Sequence, residues 1–179
     1  MPVAIASKIE LRAVIVVNIL GMPLITTGKS FIRALEKAGA LGLYMPLEGG
    51  AEGRYQRRLR ANGYHTINIT ARGLGDPAAY MTRVHGVRPP HLGKKTIGQD
   101  ASVGDIYYIP PIATYELNSL PANAKGLAIW IMEGQILSRQ EIQYLIDLTK
   151  EEPKIKIVLE MGGDRYVNWK PLADTLKAA

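Results

Sequence analysis

Short apolar runs alternate with amphipathic segments along most of the chain. Residues 40–45 form a continuous apolar run, and residues 51–63 then place Tyr55 and Leu59 on one helical face before Asn62-Gly63 ends the pattern. This succession predicts a strand followed by a helix.

Four further runs predict strands. Residues 64–70 alternate apolar and polar positions, which is typical of a strand with one wet face near a sheet edge. Residues 106–111 are stopped by prolines, and residues 154–161 form another apolar run. Residues 126–132 contain no polar side chain, which predicts a strand buried on both faces at the centre of the sheet.

The stretch GMPLITTGKSF, residues 21–31, contains the last three letters of a phosphate-binding P-loop. That loop needs a glycine five residues before Gly28, where backbone N–H groups curl around the phosphates, and Pro23 stands there instead. The segment fits the start of a helix better, capped by one of the threonines at 26–27 and ended by Gly39.

Three more helices are indicated by the way they start. Asp76 followed by proline is a favourable cap, Ser138 and Glu141 have capping-box spacing, and residues 169–178 form a closing helix entered through proline. The alternation predicts an α/β domain with a mostly parallel sheet flanked by helices. The long segment over residues 71–102 is predicted to form a basic loop region, and loops of this length are usually functional.

Residues 22–179 are predicted to form this single domain, preceded by an N-terminal extension, residues 1–21, whose status the sequence leaves open. Met22 could itself be an initiator, which would make the extension an upstream-start artefact; the other reading is an added strand. The apolar run at 13–20 is interrupted by Asn18 and is shorter than the ~20 residues of a membrane helix. It also fits a signal peptide poorly, so no export is expected.

Composition excludes several kinds of chemistry. The chain has 179 residues, 47% of them hydrophobic and 21% charged, which is ordinary for a globular protein. It contains no cysteine, so disulfides, thiolate zinc sites, cysteine-ligated iron–sulfur clusters and a catalytic thiol are excluded.

The positive charge is unevenly distributed. Residues 1–100 hold 14 Lys/Arg against 6 Asp/Glu, whereas residues 101–179 hold 8 against 10. Such an asymmetry predicts an acidic partner, which could be nucleic acid, anionic lipid or the acidic face of another subunit.

The basic residues concentrate around the second predicted helix. Arg54, Arg57 and Arg60 recur at i, i+3 and i+6, roughly opposite the apolar face, and between residues 54 and 95 the only acid is Asp76. The arginine bias and the missing acids favour a docking surface over a merely solvated face. The predicted docking residues are Arg54, Arg57, Arg58, Arg60, Arg72, Arg83, Arg88, Lys94 and Lys95.

No other pattern invites a catalytic, cofactor-binding or metal assignment. His65, His85 and His91 lie in a segment with a single nearby acid, which is not the ligand set of zinc or of a harder ion. The stretches GLGD (73–76) and MGGD (161–164) could offer backbone N–H groups to an anion, but each is explained as a turn.

Four long segments, taken in order, are more specific than any short motif above. They are LITTGKSFIRALEKAGALGLYMPLEGGAEGRYQRRLRANGY, ITARGLGDPAAYMTRVHGVRPPHLGK, MEGQILSRQEIQYL and EMGGDRYVNWKPLADTL. Together they resemble the family of subunit N of the photosynthetic complex I of cyanobacteria and chloroplasts, the NAD(P)H-plastoquinone oxidoreductase. The likeness runs from about Met22 to the C-terminus.

The resemblance implies a peripheral-arm structural subunit that holds no cofactor and no catalytic residue of its own. In the complex, electrons pass from ferredoxin through iron–sulfur centres to plastoquinone, coupled to proton translocation, in respiration, cyclic electron flow and carbon concentration. The implied partners are other peripheral-arm subunits, including the iron–sulfur and quinone-site subunits. The implied location is the cytoplasmic side of the thylakoid membrane, without a membrane span in this chain.

Two alternatives from other functional classes remain at this point. A small basic RNA-binding protein would use the same surface, and its affinity for RNA would fall steeply with salt. Exposed aromatic side chains between the basic ones would support it, but Tyr55 and Tyr80 look core-facing. A free-standing nucleotide-dependent enzyme would use the turn at 73–76 or the turn at 161–164.

Overall fold

The computed structural model describes residues 24–46, 52–72, 74–87 and 107–177. They form a five-stranded sheet between two helical layers, with a separate two-stranded ribbon. The elements are α1 (Leu24–Ala38), β1 (Ala40–Tyr44), α2 (Glu52–Ala61), β2 (Tyr64–Thr70), α3 (Pro77–Thr82), β3 (His85–Val87), β4 (Tyr107–Ile109), α4 (Ile112–Asn118), β5 (Gly126–Met132), α5 (Arg139–Glu151), β6 (Ile155–Glu160), β7 (Asn168–Pro171) and α6 (Leu172–Lys177).

The sheet has the strand order β2-β5-β6-β1-β7. The first four strands are parallel to their neighbours, and β7 closes the sheet antiparallel to β1. The ribbon pairs β3 with β4 antiparallel and stands apart from the sheet. The structure therefore confirms a single α/β domain with a mostly parallel sheet flanked by helices.

Each face of the sheet is covered by its own helical layer, as a mostly parallel sheet requires. On one face α1 and α2 pack around Phe31, Tyr55 and Trp130. On the other face α3, α4, α5 and α6 enclose a second core that includes Ile129 and Leu145. The helix faces that point away from the sheet remain available for contact with other molecules.

Most of the predicted elements are confirmed close to their predicted bounds. β1, α2 and β6 form as expected, and β2 lies at a sheet edge. Asp76 accepts a hydrogen bond from the backbone N–H of Ala78 at 3.0 Å, which caps α3. The capping box at the start of α5 is complete, since Ser138 and Glu141 exchange side-chain and backbone hydrogen bonds.

Three predictions about elements are wrong. α1 begins at Leu24, before the predicted threonine cap. The predicted central strand, β5, is not the middle strand of the sheet: that strand is β6, and β5 lies between β6 and the edge strand β2. β5 is nevertheless buried, because helices cover both of its faces. The predicted closing helix begins only at Leu172, because residues 168–171 pair with β1 as a strand.

Two short elements, β3 and α4, were not predicted. Of the predicted basic loop region, residues 71–102, residue 73 and residues 88–102 lie outside the described residues. Within the described ranges, no helix combines the length and the apolar composition needed to cross a membrane.

Trp130 connects the core to the carboxyl end of the sheet. Its side chain is 1% exposed, and its ring centroid lies 6.4 Å from that of Phe31. The indole N–H donates a hydrogen bond to the carboxylate of Glu160, at the end of the neighbouring strand β6. Burial, with a further contribution from the charge of Glu52, raises the pKa of Glu160 above its usual 4.5, against the lowering effect of the Trp130 hydrogen bond.

Replacing Trp130 by alanine should lower the free energy of unfolding by about 3–5 kcal/mol, because it leaves a large cavity in the core. Urea unfolding of the isolated chain measures this change. Tyr166→Ala is the control: its side chain is 59% exposed, so the expected change is no more than about 0.5 kcal/mol. Equal stability of the two variants would show that Trp130 is not buried in the folded protein.

Glu160→Gln should stabilise the protein at pH 7, since the amide oxygen can still accept from Trp130 but carries no charge to be buried. The sign follows from the raised pKa: the folded state holds the proton more tightly than the unfolded state, so stability falls as pH rises through the folded pKa. The advantage of the variant should disappear at about pH 4 or below, where Glu160 is protonated in both states.

Urea unfolding at pH 7 and pH 4 tests this expectation, with the exposed Glu151→Gln as a control that should shift stability by no more than about 0.5 kcal/mol. A wild-type protein that is more stable than Glu160→Gln at pH 7 would contradict it.

Candidate functional site

The orientation of α2 is set by its two core residues. Tyr55 and Leu59 are 4% and 0% exposed, and the Tyr55 ring lies 4.7 Å from that of Phe31 between centroids. Because residues three and four apart share a helix face, the opposite face carries Arg54, Arg57 and Arg60, all of which are exposed. The predicted row of guanidinium groups therefore faces away from the core.

Local contacts hold part of this row in place. The Nε of Arg57 donates to the backbone oxygen of Gly53, one turn earlier, at 3.1 Å. The half-buried Arg58 lies against α1, where a Cβ on Gly28 would come within 3.1 Å of its Nε. Glycine at position 28 thus leaves room for the arginine stem between the two helices.

Within the described ranges, none of the four α2 arginines has a carboxylate within ion-pairing distance, and the described ion pairs involve other cations. The ten residues of α2 thus carry four guanidinium groups, including that of Arg58, without a counter-charge from the described residues. We call the exposed groups of Arg54, Arg57 and Arg60 the arginine row.

The other predicted docking residues are not all part of this surface. Arg72, at the carboxyl end of β2, lies 3.5 Å from Glu133, so an acid distant in sequence partly neutralises it. Arg83 is exposed at the end of α3, in the opposite helical layer. Arg88, Lys94 and Lys95 lie outside the described residues. Their docking role stays a prediction.

α2 carries no exposed aromatic side chain among its arginines. Its one aromatic residue, Tyr55, is buried, and Tyr80 of α3 is half-buried with its ring centroid 4.4 Å from that of His85. Tyr107 and Tyr108 are 59% and 73% exposed, but they lie on the ribbon between α3 and α4. The arginines of α2 are therefore not interleaved with exposed aromatic rings on their own helix.

A cleft of about 210 Å³ lies at the carboxyl ends of the strands. Three glutamates line it: Glu52 at the start of α2, Glu133 after β5 and Glu160 at the end of β6. Sequence reasoning did not identify this cluster. A signal was present, since Glu133 and Glu160 each end an apolar run, and parallel strands end at the same edge of a sheet. The cleft is acidic where open α/β sheets commonly bind ligands.

The surroundings of each glycine-containing stretch disfavour the binding of a phosphate group. Gly162 of the MGGD turn lines the acidic cleft, whose glutamates repel an anion. At the GLGD turn, Asp76 already occupies the start of a six-residue helix, and Gly73 lies outside the described residues. Residues 28–30, the GKS letters, lie inside α1 and form no loop.

The histidines are separate from one another where they are described. Nε2 of His65 lies 3.3 Å from a carboxylate oxygen of Glu116 on α4, whereas the His85 ring packs against that of Tyr80 at an interplanar angle of 41°. His91 lies outside the described residues. In the part of the chain that the structure covers, no three His, Asp or Glu side chains are grouped so that they could hold a metal ion.

Comparison with known proteins gives a consistent assignment. A family model described as NADH-quinone oxidoreductase cyanobacterial subunit N matches residues 22–174. The chain is 68% identical over 158 residues to the NAD(P)H-quinone oxidoreductase subunit N of Gloeothece citriformis, which covers 88% of this chain and 100% of that relative. It is 65% identical over 160 residues to the same subunit of Synechocystis sp., which covers 89% of this chain and 99% of that relative. The chain therefore belongs to the family of subunit N of the cyanobacterial NADH-quinone oxidoreductase.

Proposed function

We propose that this chain is a cofactor-free structural subunit of the peripheral arm of photosynthetic complex I. In this role it binds acidic surfaces of neighbouring subunits through the arginine row of α2. Membership of the subunit N family supports a place in a multi-subunit oxidoreductase.

The observation that carries the proposal is the arginine row itself. Exposed guanidinium groups without described counter-charges are costly to leave in one patch, since they repel one another, and they pair well with carboxylates. Arginine is also enriched in interfaces between proteins, where lysine is depleted. Because α2 carries no exposed aromatic side chain among its arginines, protein carboxylates are better partners for this surface than nucleic acid.

The electron chemistry belongs, on this proposal, to the neighbours. Electrons pass from ferredoxin through iron–sulfur centres to plastoquinone in other subunits, coupled to proton translocation, in respiration, cyclic electron flow and carbon concentration. A chain without cysteine lacks the thiolates that ordinarily hold such clusters. Its partners are peripheral-arm subunits, including those with the iron–sulfur centres and the quinone site, on the cytoplasmic side of the thylakoid membrane.

Deleting the gene tests the structural role. Native electrophoresis of solubilised membranes should show a missing or incomplete peripheral arm, and plastoquinone reduction should be lost with it. A fully assembled arm with normal plastoquinone reduction would rule the proposal out.

Arg57→Glu tests the arginine row. The reversed charge should lower the amount of this chain recovered in the assembled complex at least tenfold, because one guanidinium of the row becomes a repelling carboxylate. The free energy of unfolding of the isolated variant should change by no more than about 0.5 kcal/mol, since the site is exposed.

Lys154→Glu is the matched control, because it makes a similar charge reversal at an exposed residue just before β6, at the opposite end of the strands from the cleft. Its recovery in the complex should equal that of the wild type. Equal recovery of Arg57→Glu would contradict the role of the arginine row.

A further inference from the structure

The two edges of the five-stranded sheet differ in how they are protected. At one edge, β7 has four residues and contains Lys170 and Pro171, devices that natural sheets use to prevent a further strand from pairing. At the other edge, β2 has seven residues without lysine or proline, and its register with β5 runs unbroken from Tyr64 to Thr70 without a bulge. The β2 edge is thus long and regular, and within the described residues it carries none of these protective devices.

The backbone groups that this edge presents follow from two hydrogen bonds at its ends. The oxygen of Gly63 accepts from Lys125 at 2.8 Å, and the N–H of Ala71 donates to Met132 at 2.9 Å, so both residues point their backbone groups toward β5. The backbone N–H and C=O groups of successive residues in a strand point to opposite sides, so the odd-numbered residues of β2 bond to β5. The even-numbered residues, Tyr64, Thr66, Asn68 and Thr70, direct their N–H and C=O groups away from the sheet.

No other strand of the described residues pairs with β2 on that side. A row of alternating donors and acceptors about 20 Å long is complementary to the backbone of another extended segment, and this is how sheets recruit peptides by strand addition. An edge of this kind in a free protein is an aggregation hazard. In a subunit of a larger complex, such an edge is available to pair with a strand of a neighbour.

The chemistry next to the edge indicates what the added strand carries. Asn68 donates to Gln56 of α2 at 3.3 Å, which places that side of the helix beside the edge. Arg60 lies one turn after Gln56 on the same side. Side chains of an added strand that project toward the α2 layer would therefore meet the guanidinium of Arg60, and acidic side chains fit there best.

We infer that β2 binds an extended segment of a neighbouring subunit as a sixth strand of the sheet, and that this segment carries acidic side chains on the α2 side. The inference rests on the proposed docking role and assigns to it a second, backbone-mediated contact. The partner on this inference is another subunit of the complex.

A second copy of this chain fits the edge less well. Two copies of β2 paired antiparallel would be related by a two-fold axis perpendicular to the sheet, so each copy would place α2 in the same layer. The arginine rows of the two copies would then approach each other, and like charges repel. An acidic strand removes that repulsion.

Hydrogen exchange with residue resolution tests the inference on the wild-type protein, once as the isolated chain and once within the intact complex. In the isolated chain the N–H groups of Thr66, Asn68 and Thr70 should exchange at least tenfold faster than those of His65, Ile67 and Ile69, which bond to β5. Within the complex the first three should slow at least tenfold, so that the alternation disappears.

Two results would overturn the inference. One is unchanged fast exchange of Thr66, Asn68 and Thr70 within the complex. The other is their full protection in the isolated chain, which would show that the chain itself, or a second copy of it, already covers the edge. Loss of assembly in Arg57→Glu, together with unchanged fast exchange of Thr66, Asn68 and Thr70 in the wild-type complex, would contradict strand addition but not the docking role of the arginine row.

Thr66→Pro provides a second test. Proline is tolerated at an edge residue whose N–H faces outward, and it removes a donor to the added strand. Its recovery in the complex should fall at least tenfold. Ala122→Pro, in the exposed turn before β5, introduces the same residue away from the edge and should assemble normally. Normal assembly of a folded Thr66→Pro would count against strand addition at β2.

Discussion

The burial of Tyr55 and Leu59 determines what the rest of the molecule can present. A mostly parallel sheet has to be covered on both faces, and α2 contributes to one cover by inserting these two side chains beside Phe31 and Trp169. Once they are buried, the rotation of the helix is fixed, and Arg54, Arg57 and Arg60 on the opposite face can only point outward. The same residues that complete the core therefore create the charged surface.

The α2 layer contains two regions of opposite charge. The layer of α1 and α2 carries the arginine row, while the carboxyl ends of the strands collect Glu52, Glu133 and Glu160 in one cleft. The cleft and the arginine row lie at different positions on the same α2 layer, since Glu52 starts the helix whose later turns carry the arginines. A partner that binds along α2 would contact cations on the later turns of the helix and anions at its start. These charges would favour one orientation of the partner over the reverse.

The sequence predicted the elements whose patterns are local. α2, β1, β2 and the capping box of α5 follow from periodicity and from residues three or four apart, and the structure agrees. The local pattern predicts a helix over residues 169–178, because the four residues of β7, one of them proline, have no strand pattern of their own; only pairing with β1 makes them a strand.

For the candidate site, the outward direction of Arg54, Arg57 and Arg60 was predictable because Tyr55 and Leu59 mark the buried face. The pairing of Arg72 with Glu133 was not, since 61 positions separate them in the sequence and only the parallel pairing of β2 with β5 brings their strand ends together. The edge position of β2 was predictable from its alternating pattern, but its length and the absence of a pairing strand on its outer side among the described residues emerge only from the strand order.

Strand addition and charge pairing would act together in docking. Backbone hydrogen bonds are indifferent to side chains, so they supply affinity without choosing a partner, whereas the guanidinium groups discriminate between acidic and other segments. The most direct measurement is an experimental structure of the intact complex at side-chain resolution. The account predicts carboxylate oxygens of a neighbouring subunit within 4 Å of the guanidinium groups of Arg57 and Arg60; guanidinium groups surrounded only by solvent would contradict it.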